Sequence, residues 1–455
     1  MSEAVSRRNR RILLGIYGIA LLYLVLKQLY YAVYVGNGPD QQAHDSYIIA
    51  MCRNPSLLPD FASMPLYRIM RWEDLTEFLV QSEGAVNYLG HPPLYYLLMS
   101  FLAPVRFLED GYVAVDYLRV CLCNILLVFA GTVLAFRLGY RRLKSRSPFV
   151  HMLFAGAVVT LPELGYVGAF SSNDNLVFFA FTVFFTGVLR YNEDKTDLKT
   201  YLLIGVGFLL GSFSKLTAAL ILLIMLITIL VMSIIRNKNL KLITNKSFLL
   251  TLPCYLLFLA YEILIYRKYG TWQPGLAQLA PEYFRTTTFY VAPENRVSMS
   301  VFQYLGRFLE GIGHSWSRLY GNKETVNEIM DNGVAGIIYW IPVFTALAAA
   351  AVQAVRRKAD RYTIPTAVAF LGTLAYHFYS GWSGFLKNGY LGGIQARYYL
   401  ALIVPFAFIM CETLPPLFRT EKAKTAGKIL AVILMLCWLA GDAPRLAILF
   451  GFPVY

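Results

Sequence analysis

Apolar runs of about twenty residues, the length that crosses a bilayer, recur along the chain with short polar links between them. They fall at residues 12–35, 116–136, 149–168, 175–189, 201–213, 216–235, 248–266, 334–355, 362–379, 395–413 and around 429–439. The pattern predicts an all-α integral membrane protein of about eleven transmembrane helices. Residues 92–107 are apolar too but short, and read as a juxtamembrane or re-entrant helix. Two stretches break the rhythm. Residues 36–115 carry nine acidic side chains against four basic ones (Arg53, Arg68, Arg71 and Arg106), and residues 267–333 are rich in aromatic and polar side chains. No internal repeat and no soluble domain is visible, so the chain reads as a single polytopic membrane domain, 1–455, with two large loops.

Composition agrees: 57% of the residues are hydrophobic and 15% charged, far from an ordinary soluble domain. The net charge of +14 would suit a nucleic-acid partner if it formed a basic face on a soluble unit. It does not. Basic residues gather in short groups between apolar runs: Arg7, Arg8, Arg10 and Arg11; Arg137, Arg141, Arg142, Lys144 and Arg146; Arg236, Lys238, Lys241 and Lys246; Arg356, Arg357, Lys358 and Arg361; Arg419, Lys422, Lys424 and Lys428. Loops with such clusters stay on the cytoplasmic side. With eleven crossings every cluster falls on that side, the N-terminus is inside, and the loops at 36–115 and 267–333 are external. The first run is too long for a signal-peptide core and no small-residue cleavage site follows, so it reads as a retained anchor. The six cysteines show no metal-like pairing and say nothing about redox compartment.

Ionisable groups at membrane depth are costly and usually functional. Asp40, His44, Asp45 and His91 belong to the first external loop. Asp174 lies in a tight external turn, Lys215 at the outer hinge of the fifth and sixth spans, and Arg397 near the outer end of the tenth. Carboxylates and cations gathered at one interface suit a hydroxyl nucleophile and a phosphate. A carboxylate accepts the hydroxyl proton, and Lys and Arg neutralise a phosphate leaving group.

The motifs Pro39-Asp40-Gln41-Gln42-Ala43-His44, His91-Pro92-Pro93-Leu94-Tyr95-Tyr96 and Leu118-Arg119 resemble the start of GT-C glycosyltransferases. That group includes protein O-mannosyltransferases and lipid A aminoarabinose transferases. Ser172-Asn173-Asp174, Ser214-Lys215-Leu216-Thr217 and Gln395-Ala396-Arg397-Tyr398 are similar to segments at like places in them, so the resemblance runs over roughly residues 36–405. It implies a polyprenyl-phosphate sugar donor, a glycan, lipid or protein acceptor, and an active site on the external face. It also implies Asp40 as base, Asp174 as second carboxylate, and Lys215 and Arg397 as phosphate contacts, with His44, His91, Tyr95, Arg119 and Tyr398 on the substrate side. Many relatives have a second acid directly after the first. Here that position is Gln41, which leaves Asp45 to share the role and leaves open whether a divalent metal takes part.

Other readings stand beside these. Asp174 suits a helix N-cap, Lys215 can snorkel to headgroups, Arg397 can pair with Glu262, and His91 before two prolines can simply shape its loop. For the whole chain the alternatives are a transporter or flippase of lipid-linked sugars, or a surface-glycan polymerase or ligase. A transporter should show paired broken helices in two related halves, which this sequence lacks.

Overall fold

The computed structural model describes residues 3–35, 38–102, 105–143, 146–237, 241–317, 319–320, 329–330, 333–357 and 359–449. In chain order the main helices are α1 (Glu3–Tyr30), α2 (Gln41–Arg53), α3 (Leu94–Leu102), α4 (Tyr117–Arg142), α5 (Pro148–Val159), α6 (Pro162–Val167), α7 (Asn173–Asn192), α8 (Leu198–Ser212) and α9 (Leu216–Asn237). They continue as α10 (Leu252–Tyr269), α11 (Val301–Trp316), α12 (Ile341–Arg356), α13 (Thr363–Asn388), α14 (Ile403–Thr413) and α15 (Glu421–Leu449). All eleven apolar runs are helical. Among the described residues, seven helices are long and apolar enough to cross a membrane, at Asn9–Tyr34, Tyr117–Arg142, Leu216–Ile235, Lys246–Tyr269, Gly336–Arg356, Ala396–Leu417 and Glu421–Asp442. This is an integral, multi-pass membrane protein. The other four expected crossings coincide with helices that are shorter, interrupted or more polar. Residues 149–168, for instance, divide into α5 and α6 at Pro162, because proline lacks the N–H that would continue the helical ladder.

Local chemistry sets the helix starts that matter for the site. Ser172 caps α7 by accepting from the Asp174 amide at 3.3 Å, and Asp116 caps α4 by accepting from the Arg119 amide at 3.0 Å. Helices α7 and α8 pack face to face through glycine. A Cβ on Gly207 would sit 2.5 Å from the Phe184 backbone nitrogen, so only a bare backbone lets the two helices approach this closely, as small residues do between membrane helices.

The first large loop departs from the expectation of juxtamembrane helices alone. It does carry α2 and α3, but between and after them lies a four-stranded antiparallel sheet. Strands β1 (Pro65–Glu73), β2 (Thr76–Val86), β3 (Val105–Phe107) and β4 (Val113–Asp116) run in the order β1-β2-β4-β3. Asp74 and Leu75, both at positive φ, make the two-residue turn of the β1–β2 hairpin. Register shifts between Pro65 and Tyr67 and between Ile69 and Arg71 blur the alternation that would have marked β1 in the sequence. Tyr67, Leu79, Val113 and Val115 of the sheet form one buried cluster with Ile49 of α2 and Val120 of α4. Another cluster joins Tyr47, Ile48 and Met51 of α2 to Tyr95, Tyr96 and Met99 of α3. Each such side chain contributes about 1.5–3 kcal/mol on full burial, so α2 is gripped from both sides. The residues at its N-terminus inherit that rigidity. Of the second large loop, residues 318, 321–328 and 331–332 lie outside the described residues.

Candidate active site

The chain leaves α1 through a π-helical turn, Tyr31–Val35, and enters α2 over Gly38, Pro39 and Asp40. A Cβ on Gly38 would come within 2.4 Å of the Phe170 side chain, so glycine lets this turn press against the loop before α7. Asp40 holds φ 57°, ψ 23°, the left-handed region. That costs a non-glycine residue of order 1–3 kcal/mol, and such strain clusters at functional sites. Asp40 stands at the N-cap position of α2, yet its side chain makes no cap hydrogen bond. It forgoes roughly 1 kcal/mol of capping and points outward instead. Its Oδ1 accepts from the Tyr88 hydroxyl at 2.8 Å, and its Oδ2 is ion-paired with the Arg397 guanidinium.

A second ion pair lies beside the first. Lys215, in the break between α8 and α9, donates to both oxygens of Asp174 at 2.7 and 2.8 Å, and both side chains are buried. Asn173 fixes this hinge by donating to the Ser214 carbonyl at 2.9 Å. The Tyr398 ring serves both cations, with Lys215 Nζ 4.7 Å and the Arg397 guanidinium carbon 5.7 Å from its centroid. Charges from four separate segments thus meet as two neutralised pairs around one aromatic ring.

Asp40, His44, Tyr88, His91, Lys215, Arg397 and Tyr398 line one cavity of about 380 Å³. Its far side is aromatic and polar, with Phe289, Tyr390, His377 and Gln273 contributed by later loops and by α13. A Cβ on Gly90 would meet the Pro274 carbonyl oxygen at 2.1 Å, so the first and second loops close over the cavity at backbone contact.

Burial alone would raise the Asp40 carboxyl, but the Arg397 charge and hydrogen bond, helped by Tyr88, hold it at about 2. It is ionised throughout the neutral range. Burial pushes His44 down to about 3, against the pull of Asp40 and with the Arg397 charge adding to the effect. His91 also falls to about 3, through burial and then the charge of Lys215. Both imidazoles are therefore neutral. His44 stacks on Tyr96 and shares a 3.0 Å hydrogen bond with its hydroxyl. His91 lines the cavity with a buried Nδ1 that has no hydrogen-bond partner among the described residues.

Four expected site residues lie off the cavity walls: Asp174, which meets the site through its pair with Lys215, and three more. Asp45, one turn along α2, is fully buried and accepts from Ser171 Oγ at 2.6 Å. Tyr95 is buried between Asn124, to which it donates at 2.8 Å, and the Ser172 amide, from which it accepts at 2.9 Å, so it braces the Asp174 turn from behind. Arg119 is half exposed and pairs with Asp116 at 3.3 Å. Arg397 pairs with Asp40 and not with Glu262. Tyr88 was not singled out in the sequence, since a lone tyrosine three residues before His91 carries no motif of its own.

Among the described residues, no group of three or more His, Cys, Asp or Glu side chains is placed to hold a metal ion. Asp40 faces Arg397 and Asp174 faces Lys215 instead, so each carboxylate is already neutralised by a cation. This donor set does not fit a metal.

In sequence, the chain matches no family model and no curated protein. In structure it is similar to ArnT from Cupriavidus metallidurans bound to undecaprenyl phosphate, with a TM-score of 0.51 and 12% identity over 95% of this chain and 65% of that one. The apo state of the same protein gives 0.47, 12%, 95% and 72%. The apo oligosaccharyltransferase of Archaeoglobus fulgidus gives 0.47, 10%, 95% and 56%. The chain thus spans 65% of the length of the ArnT chain whose fold it shares. Its architecture is the GT-C type of membrane fold, as the short motifs led one to expect.

Proposed function

We propose that this protein is an inverting glycosyltransferase, moving a sugar from a polyprenyl-phosphate donor to an acceptor hydroxyl on the external face of the membrane. The observation that carries the reading is one cavity holding an ionised, non-capping carboxylate, Asp40, beside two buried cations, Arg397 and Lys215. The ArnT structure of like fold holds undecaprenyl phosphate, which supports a lipid phosphate as the donor's anchor.

The acceptor oxygen attacks the anomeric carbon and Asp40 takes its proton. The bond between that carbon and the phosphate oxygen breaks, and its electron pair leaves with the phosphate. Before the step the phosphate carries one negative charge and Asp40 another. Afterwards the phosphate carries two and Asp40 none. Negative charge moves from the carboxylate toward Arg397 and Lys215, which are already in place to meet it, and such preorganised charge needs no rearrangement during reaction.

In the free protein both cations are satisfied by carboxylates, so a phosphate must compete for them. When it draws Arg397 toward itself, Asp40 loses the charge that held its basicity down, while its burial remains. Donor binding therefore strengthens the base that the reaction needs.

Incubating the purified protein in bilayer discs with labelled polyprenyl-phosphate sugar and acceptor tests the reading. Release of free polyprenyl phosphate with transfer of the label supports it. Intact donor that merely changes leaflet would favour the flippase alternative.

A further inference from the structure

Directly behind Asp40 lies a second acidic pair that the transfer step does not use. Glu77, on β2, and Asp45, on α2, are both fully buried and close enough to act on each other's ionisation. Two carboxylates cannot both stay ionised in contact inside a protein, so such a pair keeps a proton between them. Every other contact supports this. Glu77 Oε1 accepts from Gln41 Nε2 at 2.6 Å, and Asp45 Oδ1 accepts from Ser171 Oγ at 2.6 Å. The remaining oxygens, Glu77 Oε2 and Asp45 Oδ2, are buried with no hydrogen-bond partner among the described residues, two acceptors that a shared proton would satisfy.

The outer ends of this chain reach the site. Gln41 Oε1 accepts from the Gly38 amide at 2.7 Å, closing the turn that contains Asp40 in its left-handed conformation. Ser171 begins the turn that carries Asp174. We propose that Asp45 and Glu77 share one proton and that this pair, acting through Gln41 and Ser171, is the positioning device that holds Asp40 in its non-capping pose at a fixed distance from Asp174. Asp45 and Glu77 are then positioning residues, and Gln41, where many relatives have an acid, is the link that carries their hold forward. The inference rests on the transferase reading only for what Asp40 does once positioned.

The surroundings agree. Burial raises the Asp45 carboxyl to about 6, opposed by the Ser171 hydrogen bond. Burial and then the Asp45 charge raise Glu77 well above the usual carboxylate range. At neutral pH the pair therefore holds one proton between its two carboxylates. The titratable groups that face the pair are Tyr95 from α3 and Tyr117 and Cys121 from α4. No lysine or arginine is among them to stabilise a second negative charge.

Glu77→Gln is the decisive variant. Its carboxamide oxygen still accepts from Gln41, and its NH₂ donates permanently to Asp45. The arrangement then cannot be broken by losing a proton. Melting temperature of the wild type should fall as pH rises above about 4.3, where the unfolded chain gives up a proton that the folded pair keeps, and transfer rate should fall at higher pH, once the folded pair loses that proton and repulsion opens the turn. Glu77→Gln should match the wild-type rate at neutral pH, and its rate and melting temperature should not follow the wild type's fall as pH rises. Groups that titrate elsewhere do so in both proteins and cancel in the comparison. Glu77→Ala should lose at least about tenfold in rate and should bind undecaprenyl phosphate more tightly, because a displaced Asp40 no longer competes for Arg397. Overlaying alkaline profiles for wild type and Glu77→Gln, or a wild-type rate in Glu77→Ala, would overturn the inference. The melting and binding arms need no turnover, so they decide it even if the transferase reading fails.

Discussion

The guanidinium of Arg397 donates to the carboxylate of Asp40 across 357 positions of sequence, so the two groups the proposed chemistry needs most are spent on each other in the free protein. This pairing gives the first prediction. Arg397→Ala removes a charge-assisted contact to phosphate and should weaken undecaprenyl phosphate binding by roughly 1.5–3 kcal/mol, about 10- to 150-fold. It also removes the main opposition to the burial of Asp40, leaving the weaker hold of Tyr88. The Asp40 pKa then rises from about 2, and an acid limb should appear in kcat/KM where the wild type is flat. Arg397→Lys should recover the charge but only part of the affinity, since the planar fork is lost. Unchanged affinity and a flat acid profile in Arg397→Ala would remove it from the site.

Lys215 and Asp174 form a buried pair, and removing one partner strands the other. Lys215→Ala should destabilise the protein by about 3–5 kcal/mol, seen as a lower melting temperature in detergent. Lys215→Ala with Asp174→Asn should regain most of it while remaining defective in donor binding. Additive losses in the double variant would show that the pair contributes no mutual stabilisation.

Histidine gives a prediction of sign. His44 and His91 are held near 3 by burial, against about 6.5 in an unfolded chain. Below pH 6.5 the unfolded chain takes up protons that the native fold refuses. Stability is therefore complete above about 6.5 and is lost progressively as pH falls toward 3. The rate profile, by contrast, should show no histidine limb between about pH 5 and 8. A bell centred in that window, abolished by His91→Asn, would make His91 a proton carrier.

The helical membrane class was legible because hydropathy is a long-range average that tolerates local error. Asp40, Asp174, Lys215 and Arg397 were legible as ionisable groups at one predicted interface, and the fold brings Asp40, Lys215 and Arg397 to one cavity, with Asp174 paired to Lys215. Pairing was not legible. Nothing in the spacing says that Arg397 meets Asp40 and not Glu262, because that depends on how the 3₁₀ segment Ala396–Leu402 packs against the first loop. The sheet escaped notice because bulges interrupt its period, and with it went Glu77, whose partner Asp45 then looked like a candidate base. One turn of α2 decides the difference. Asp40 at the helix start faces the cavity, and Asp45, five residues on, faces the sheet and the Ser171 turn.

Tyr88 offers a graded test of how Asp40 is held. Its hydroxyl donates to Asp40 Oδ1 at 2.8 Å, a bond to a charged acceptor worth about 1.5–3 kcal/mol. Tyr88→Phe keeps the ring and should lower kcat by roughly tenfold with little change in KM for donor. An effect on KM alone would make Tyr88 a binding residue without influence on the base.

The central claim is that Asp40 takes the acceptor's proton, and the rate of polyprenyl phosphate release by Asp40→Asn tests it most directly. The substitution keeps the size and a hydrogen-bonding oxygen but cannot accept the proton. It also frees Arg397 for the phosphate. Release should fall by about 10²–10⁴-fold while undecaprenyl phosphate binding holds or tightens and the fold survives, and Asp45→Asn, whose side chain lies off the cavity, should lose far less. Normal turnover by Asp40→Asn would contradict the account, and a dead Asp45→Asn beside it would move the base to Asp45.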